Sequence, residues 1–312
     1  MRLSIGGVVL ISSLLGTGAL LAQTPPPTKT STTPPAPAAP KAAPPAAAAA
    51  ATKCTNPNAM GLARTVEINT TGAPGFGFEH FKNHDFLKNG EVVFTFDDGP
   101  WPVNTQKVLK ALADECIKAT FFHIGKHATW TPQLVKEIAA AGHSIGSHTW
   151  SHKNLEKMSL DQAKEEIEKG LSAVQMALEG AETAPFFRFP QLKHPPEVVK
   201  YLSERNIAMF STDFDSFDFK MRKPEQVIKS VMDKLEKNGK GIVLMHDFQH
   251  PTADALPELL KRMKEKGYKV VHMKPKFTIK SLPEYDALVM KEQKLPTANV
   301  QPTSSIVKTI EE

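Results

Sequence analysis

Between Glu91 and Met273 the chain alternates short apolar runs with amphipathic segments, and that rhythm leaves few folds open to it. Seven candidate strands fall at 91–96, 117–124, 143–147, 185–189, 207–212, 241–245 and 269–273, most of them too uniformly apolar to present one face to water. Short strands buried on both faces, with helices between them, belong to a parallel sheet of an α/β protein, either closed into a barrel or left open and doubly wound. The intervening segments read as helices with defined ends. Thr131 before Pro132 offers a side-chain cap and a first helical residue of preset φ. Ser159 and Gln162 have capping-box spacing, after which Leu160, Ala163, Ile167, Leu171, Val174 and Leu178 make one apolar stripe. Gly142, Gly180, Gly239 and Gly267 stand where helices should stop. In either architecture, groups that do chemistry should gather at the carboxyl ends of the strands.

The flanks are different in kind. Residues 1–22 carry Arg2 and then an apolar stretch, the pattern of an export signal cleaved after Ala22. An uncleaved membrane anchor is the other reading, because Leu20 is larger than the residue usual at that place. Residues 23–52 are nearly all Pro, Ala and Thr, which bury no core and act as a semi-stiff spacer. Residues 53–90 read as an N-terminal extension packed on the main domain, with strand-like alternation at 65–68 and a loop marked by Gly72, Pro74, Gly75 and Gly77. The main domain spans 91–275, and 276–312 reads as a polar, weakly ordered tail. Export implies a secreted or periplasmic protein with no membrane span after cleavage. It also sets an oxidising context in which Cys54 and Cys116 either pair or remain two thiols. The formal charge of +5 is spread over mixed acidic and basic helices rather than gathered into a stripe, so nucleic acid is not an expected partner.

Five polar clusters fall at the predicted strand ends. The first strand runs into Asp97-Asp98-Gly99-Pro100, two carboxylates at a sharp turn where one can bind a cation and the other take a proton. The third leads to His148 and His152, whose spacing puts both on one face of a helical turn. Two imidazoles and a carboxylate make a catalytic metal set with positions left open, although non-haem iron oxygenases use the same triad. Arg188 sits among apolar residues and needs a carboxylate partner if buried. Asp213, Asp215 and Asp218 follow the fifth strand, and His246 and Asp247 end the sixth. Each cluster alone has a structural explanation, a turn or a surface ion pair. Five of them at one end of one domain point to a functional site.

Together these parts resemble the polysaccharide deacetylases of carbohydrate esterase family 4, the NodB-homology domain. The family's first motif, T-F-D-D-G-P, stands unaltered, and the second, H-S-x-x-S-H-T-x-x-H, runs from His143 to His152. The third corresponds to Arg188-Phe189-Pro190, the fourth to Asp215-Ser216-Phe217-Asp218-Phe219, and the fifth to Leu244-Met245-His246-Asp247. The resemblance implies a distorted (β/α)7 barrel and a hydrolase that uses Zn2+ or another divalent transition metal. It implies that Asp98, His148 and His152 hold the metal, that Asp97 is the general base and His246 the general acid. Arg188 would orient Asp97, and Asp215 or Asp218 would hold His246. Two departures, Gln191 in place of the usual Tyr and Phe219 in place of the usual Trp, bear on the sugar subsite.

These roles suit amide hydrolysis, which needs a polarised carbonyl, an activated water and a proton for the departing amine. Backbone N–H groups after Arg188 are placed to steady an oxyanion. The expected partner is an acetylated polysaccharide, and the expected reaction is removal of N-acetyl groups from chitin-like or peptidoglycan glycan. An O-acetyl esterase would use the same residues on an easier bond. A catalytically silent glycan-binding protein would have no need of an acid, a base and an open metal site together.

Overall fold

The computed structural model describes residues 54–179 and 183–293. The expected export signal, the spacer, Gly180 and the chain beyond 293 lie outside them. Two short pieces lead in, β1 (Leu62–Ile68) and β2 (Gly75–Phe76). Strands and helices then alternate: β3 (Glu91–Asp97), α1 (Asn104–Asp114), β4 (Thr120–His123), α2 (Gly125–Trp130), α3 (Pro132–Ala140), β5 (Ser144–Ser147) and α4 (Leu160–Ala177). The second half adds β6 (Phe186–Phe187), α5 (Pro196–Glu204), β7 (Ala208–Phe210), β8 (Phe214–Asp215), α6 (Pro224–Asn238), β9 (Gly241–His246), α7 (His250–Glu265), β10 (Lys269–Pro275) and α8 (Pro283–Gln293).

All strand ladders are parallel. They run β1-β10-β3-β4-β5-β6-β7-β2, with β9 also paired to β3 and β8 paired to β9. No ladder joins β7 to β8 among the described residues, so the ring is a distorted (β/α)7 barrel that hydrogen bonds do not close. All seven residues of β3 are buried, as a parallel strand covered on both faces requires.

Beneath this uniform burial the two faces divide by strand parity. Val92, Phe94 and Phe96 pack outward with Val108, Val231 and Leu256 of α1, α6 and α7. Val93 packs inward with Phe122, Phe186, Phe210, Ile242 and Val271. Continuing the inward parity along each strand reaches Thr95 and Asp97 from Val93, Arg188 from Phe186, and Leu244 and His246 from Ile242. One alternation therefore fills the barrel with apolar side chains below and delivers ionisable ones at its mouth.

Ser159 and Gln162 form the expected capping box at the start of α4. Thr131 does not cap α3, because its hydroxyl donates back to His127 O at 3.0 Å. Gly239 ends α6 at φ 75°, as its place in the sequence suggests. The expected strand over 207–212 is confined to β7, because beyond it Thr212 donates its hydroxyl to Phe214 O and Ile242 O and the chain turns. Within 53–90, β1 joins the sheet beside β10.

Residues 283–293 are not a weakly ordered tail but the helix α8. It buries Val289 against Trp150, Ala173 and Met176, and Glu292 accepts from Trp150 Nε1 at 3.0 Å while pairing with Lys169.

Cys54 and Cys116 are joined in a disulfide that closes a loop of 62 residues. By loop-closure entropy such a link stabilises the fold by about 4 kcal/mol. A Cys54→Ser/Cys116→Ser double variant is expected to lose about that much in urea unfolding of the full chain, and a loss below about 1 kcal/mol would show that the extension is held by its other contacts alone.

Candidate active site

Asp97 and Asp98 are neighbours, yet both serve the barrel mouth, because the chain leaves β3 with Asp98 at φ 69°. That left-handed residue turns a side chain that strand geometry would send outward back over the strand ends. Asp98 Oδ1 lies 3.5 Å from His148 Nε2 and 3.5 Å from His152 Nε2, and one donor atom from each residue falls within 4.8 Å of the others. The two histidines do not share a helical turn. His148 follows β5, and an irregular turn with Thr149 at φ 68° and His152 at φ 58° brings the second ring back to 4.9 Å from the first.

The chemistry of this set fits a divalent ion. His148 Nδ1–H donates to Arg188 O at 2.7 Å, which leaves the Nε2 lone pair directed at Asp98. Burial holds the His148 imidazolium well below its ordinary range, so the ring is neutral. Asp98 Oδ1 is buried and accepts no hydrogen bond. A carboxylate oxygen facing a lone pair is repulsive unless a cation lies between them. Two donors each about 2.1 Å from one tetrahedral ion sit about 3.4 Å apart, which is close to the spacing found.

Arg188 crosses the barrel under this cluster and is fully buried. It donates to Asp97 Oδ1, Thr95 Oγ1 and Ser211 O, each at 2.7 Å, and to Phe210 O at 3.3 Å, with its guanidinium over the Phe122 ring. Asp97 Oδ2 is left facing His148 Nε2 at 4.0 Å. On β9, in register with Asp97, His246 places its Nε2 3.9 Å from Asp98 Oδ2. Its Nδ1 meets Asp218 Oδ1 at 2.6 Å, while Asp218 Oδ2 accepts from His246 N–H and Thr252 Oγ1.

A peptidoglycan-N-acetylglucosamine deacetylase of Bacillus cereus is 33% identical over 192 residues, which are 60% of this chain and 68% of that protein. The family model for polysaccharide deacetylases matches residues 87–210. This chain belongs to the polysaccharide deacetylase family. A chitooligosaccharide deacetylase of Azorhizobium caulinodans is 31% identical over 168 residues, 53% of this chain and 77% of that protein. Among solved structures, a peptidoglycan deacetylase of Bdellovibrio bacteriovorus superposes with a TM-score of 0.63 at 30% identity, covering 70% of this chain and 61% of the other.

Of the two aspartates that the deacetylase resemblance offers as partners of His246, the structure brings Asp218 to it. Phe217 adopts φ 57° and turns Asp218 inward, whereas Asp215 accepts from Phe217 N–H at 2.8 Å and only lines the cavity. Burial raises the Asp215 carboxyl. Burial likewise pushes Asp97 up to about 6 against the pull of Arg188. For His246, burial alone would lower the imidazolium, but the Asp218 hydrogen bond and charge, with Asp98 and Asp97, lift it to about 9. Phe219 stands edge-on 5.4 Å from His246, and Gln191 lines the same cavity of about 520 Å³.

Sequence reasoning missed several groups here. His127 Nδ1 contacts Asp98 O at 2.6 Å, Thr252 completes the Asp218 set, and Glu79 and His80 reach the cavity from the extension. A threonine or histidine outside the strand ends carries no signal of its own. The glycine-rich loop at 72–77 marked a turn but not its destination.

Removing one partner of a buried ion pair leaves the other charge uncompensated, at a cost of about 3–5 kcal/mol. Arg188→Leu is expected to show that loss in urea unfolding of metal-free protein. Arg188→Lys should recover only part of it, since one ammonium cannot replace the bonds to Thr95 and both following carbonyls. A loss under about 1 kcal/mol for Arg188→Leu would mean that the Arg188–Asp97 pair contributes little to the stability of the fold.

Proposed function

We propose that this protein is an exported, divalent-metal-dependent N-deacetylase acting on an amino-sugar polysaccharide, either chitin-like or peptidoglycan glycan. The observation that carries the reading is the placement of a buried carboxylate, Asp97, and an aspartate-held imidazole, His246, each about 4 Å from a member of the Asp98–His148–His152 cluster. The names of the relatives, which are deacetylases of peptidoglycan and chitooligosaccharide, support the same substrate class. The site of export rests on the sequence of residues 1–22.

Asp98, His148 and His152 hold the metal, and zinc is the expected ion. When bound, it supplies a Lewis acid that polarises the acetyl carbonyl and makes a water more acidic. Asp97 accepts the proton of the attacking water through Oδ2, while Arg188 fixes Oδ1 and keeps the carboxylate ionised. His246 donates from Nε2 to the departing nitrogen, and Asp218 fixes the ring and stabilises its protonated form. After Arg188, the N–H groups of Leu192 and Lys193 are taken by Phe189 O and Pro190 O. Gln191 lines the cavity, and its N–H is offered as a backbone donor for the oxyanion.

Stripping the metal, or replacing Asp98 with Ala, is expected to lower acetate release from N-acetylglucosamine oligomers by at least about 100-fold, with zinc restoring the stripped wild type but not the variant. Release from acetylated xylan alone, with none from amino-sugar chains, would overturn N-deacetylation in favour of ester cleavage.

The pH profile follows from the two flanking groups. Asp97 must be deprotonated, so rate is gained as pH rises through its pKa of about 6, and His246 must be protonated, so rate is lost as pH rises through about 9. A nearby dication lowers both values and draws both limbs toward acid. Asp218→Asn removes the charge that lifts His246, so its alkaline limb should fall to lower pH with kcat reduced about 10- to 1000-fold. An alkaline limb unmoved by that change would remove His246 as the acid.

A further inference from the structure

We propose that Glu79 is a specificity-determining contact for the glycan chain, presented to the cleft by a loop of the N-terminal extension; this rests on the deacetylase reading above. Glu79 and His80 line the same cavity as Asp97, Asp98, His148 and His246. They come from the N-terminal extension, ahead of the residues 87–210 matched by the family model.

The loop is built to hold a fixed position. Gly77, at φ 98°, lies against the chain that follows β7, where a Cβ would stand 2.5 Å from Thr212 N, so a larger residue would lift the loop. Phe78 N–H donates to Asp213 Oδ1 at 2.7 Å, Glu79 N–H to Thr212 O at 3.0 Å, and Phe81 N–H to Gly77 O at 2.8 Å. His80 Nδ1 meets Ser211 Oγ at 2.7 Å, and the carbonyl of that same serine accepts from Arg188. The loop and the guanidinium that holds Asp97 therefore share one anchor.

With its backbone pinned, the loop exposes a carboxylate that makes no hydrogen bond or ion pair among the described residues. An ionised carboxylate at a cleft wall accepts short, charge-assisted hydrogen bonds from hydroxyl donors, and a neutral glycan supplies hydroxyls on every ring. Glu79 would thus bind a sugar unit beside the one losing its acetyl group.

The test compares wild type, Glu79→Ala and Glu79→Gln as zinc-loaded full chains. Binding of N-acetylglucosamine tetramer is measured by calorimetry, and kcat/KM is measured for the tetramer and for 4-nitrophenyl acetate, which is too small to reach a neighbouring subsite. The expected result is tetramer binding weakened about tenfold in Glu79→Ala, less in Glu79→Gln, with the tetramer-to-ester ratio of kcat/KM falling by a similar factor through KM. Binding and ratio within about twofold of wild type in both variants overturn the proposal, as does a wild type that binds no tetramer. A wild type that binds tetramer but releases no acetate overturns the deacetylase reading alone, and weakened binding in Glu79→Ala then still supports the glycan contact.

Discussion

A guanidinium shut away from water must be both neutralised and hydrogen-bonded, and the inside of this barrel is arranged to do so for Arg188. Its one countercharge among the described residues is Asp97, and its remaining donors reach Thr95 on the same strand as Asp97 and the carbonyls of Phe210 and Ser211 at the end of β7. The pair therefore ties β3 to the chain at the end of β7, on the side of the ring where no ladder runs on to β8. It also decides the state of Asp97. Without the cation, burial would favour the protonated acid, and the mouth would lose the group that can receive a proton. The carbonyl of Arg188 extends the same influence to His148 by fixing which ring nitrogen carries hydrogen.

Around that pair, the site is assembled by strand parity and by reversals of the backbone. Parity delivers Asp97, Arg188 and His246 inward without special geometry. Asp98, Thr149, His152 and Phe217 adopt positive φ, a conformation that costs a non-glycine residue about 1 kcal/mol or more, and each reversal turns a side chain or a turn toward the cluster. Strain of this kind persists only where surrounding contacts impose it. Here the contacts include Gly170 of α4, which approaches so closely that a Cβ would lie 2.6 Å from Thr149 C.

Much of this was legible in the residues. The order of short apolar runs located the strands of the main domain, and the capping box at Ser159 located the start of α4. His148, His152 and one carboxylate of the Asp97-Asp98 pair were recognisable as a donor set because they fall at strand ends, and the family resemblance singled out Asp98. Their actual arrangement was not legible, because helical spacing suggested a shared turn and left-handed residues at Thr149 and His152 achieve the convergence instead. The choice between Asp215 and Asp218 depends on the φ of Phe217 and on Thr252, and neither leaves a mark in sequence. The helix α8 escaped notice because it carries no apolar stripe: its hold on α4 comes from Val289 and from polar contacts of Glu292.

That last contact has a consequence for the order in which the protein can be completed. Trp150 lies in the turn between the two clustered histidines, and its indole is held by Glu292, near the C-terminal end of the described chain. During synthesis from the N-terminus, the turn is made long before the residue that fastens it. The histidine turn acquires its final support only when α8 arrives.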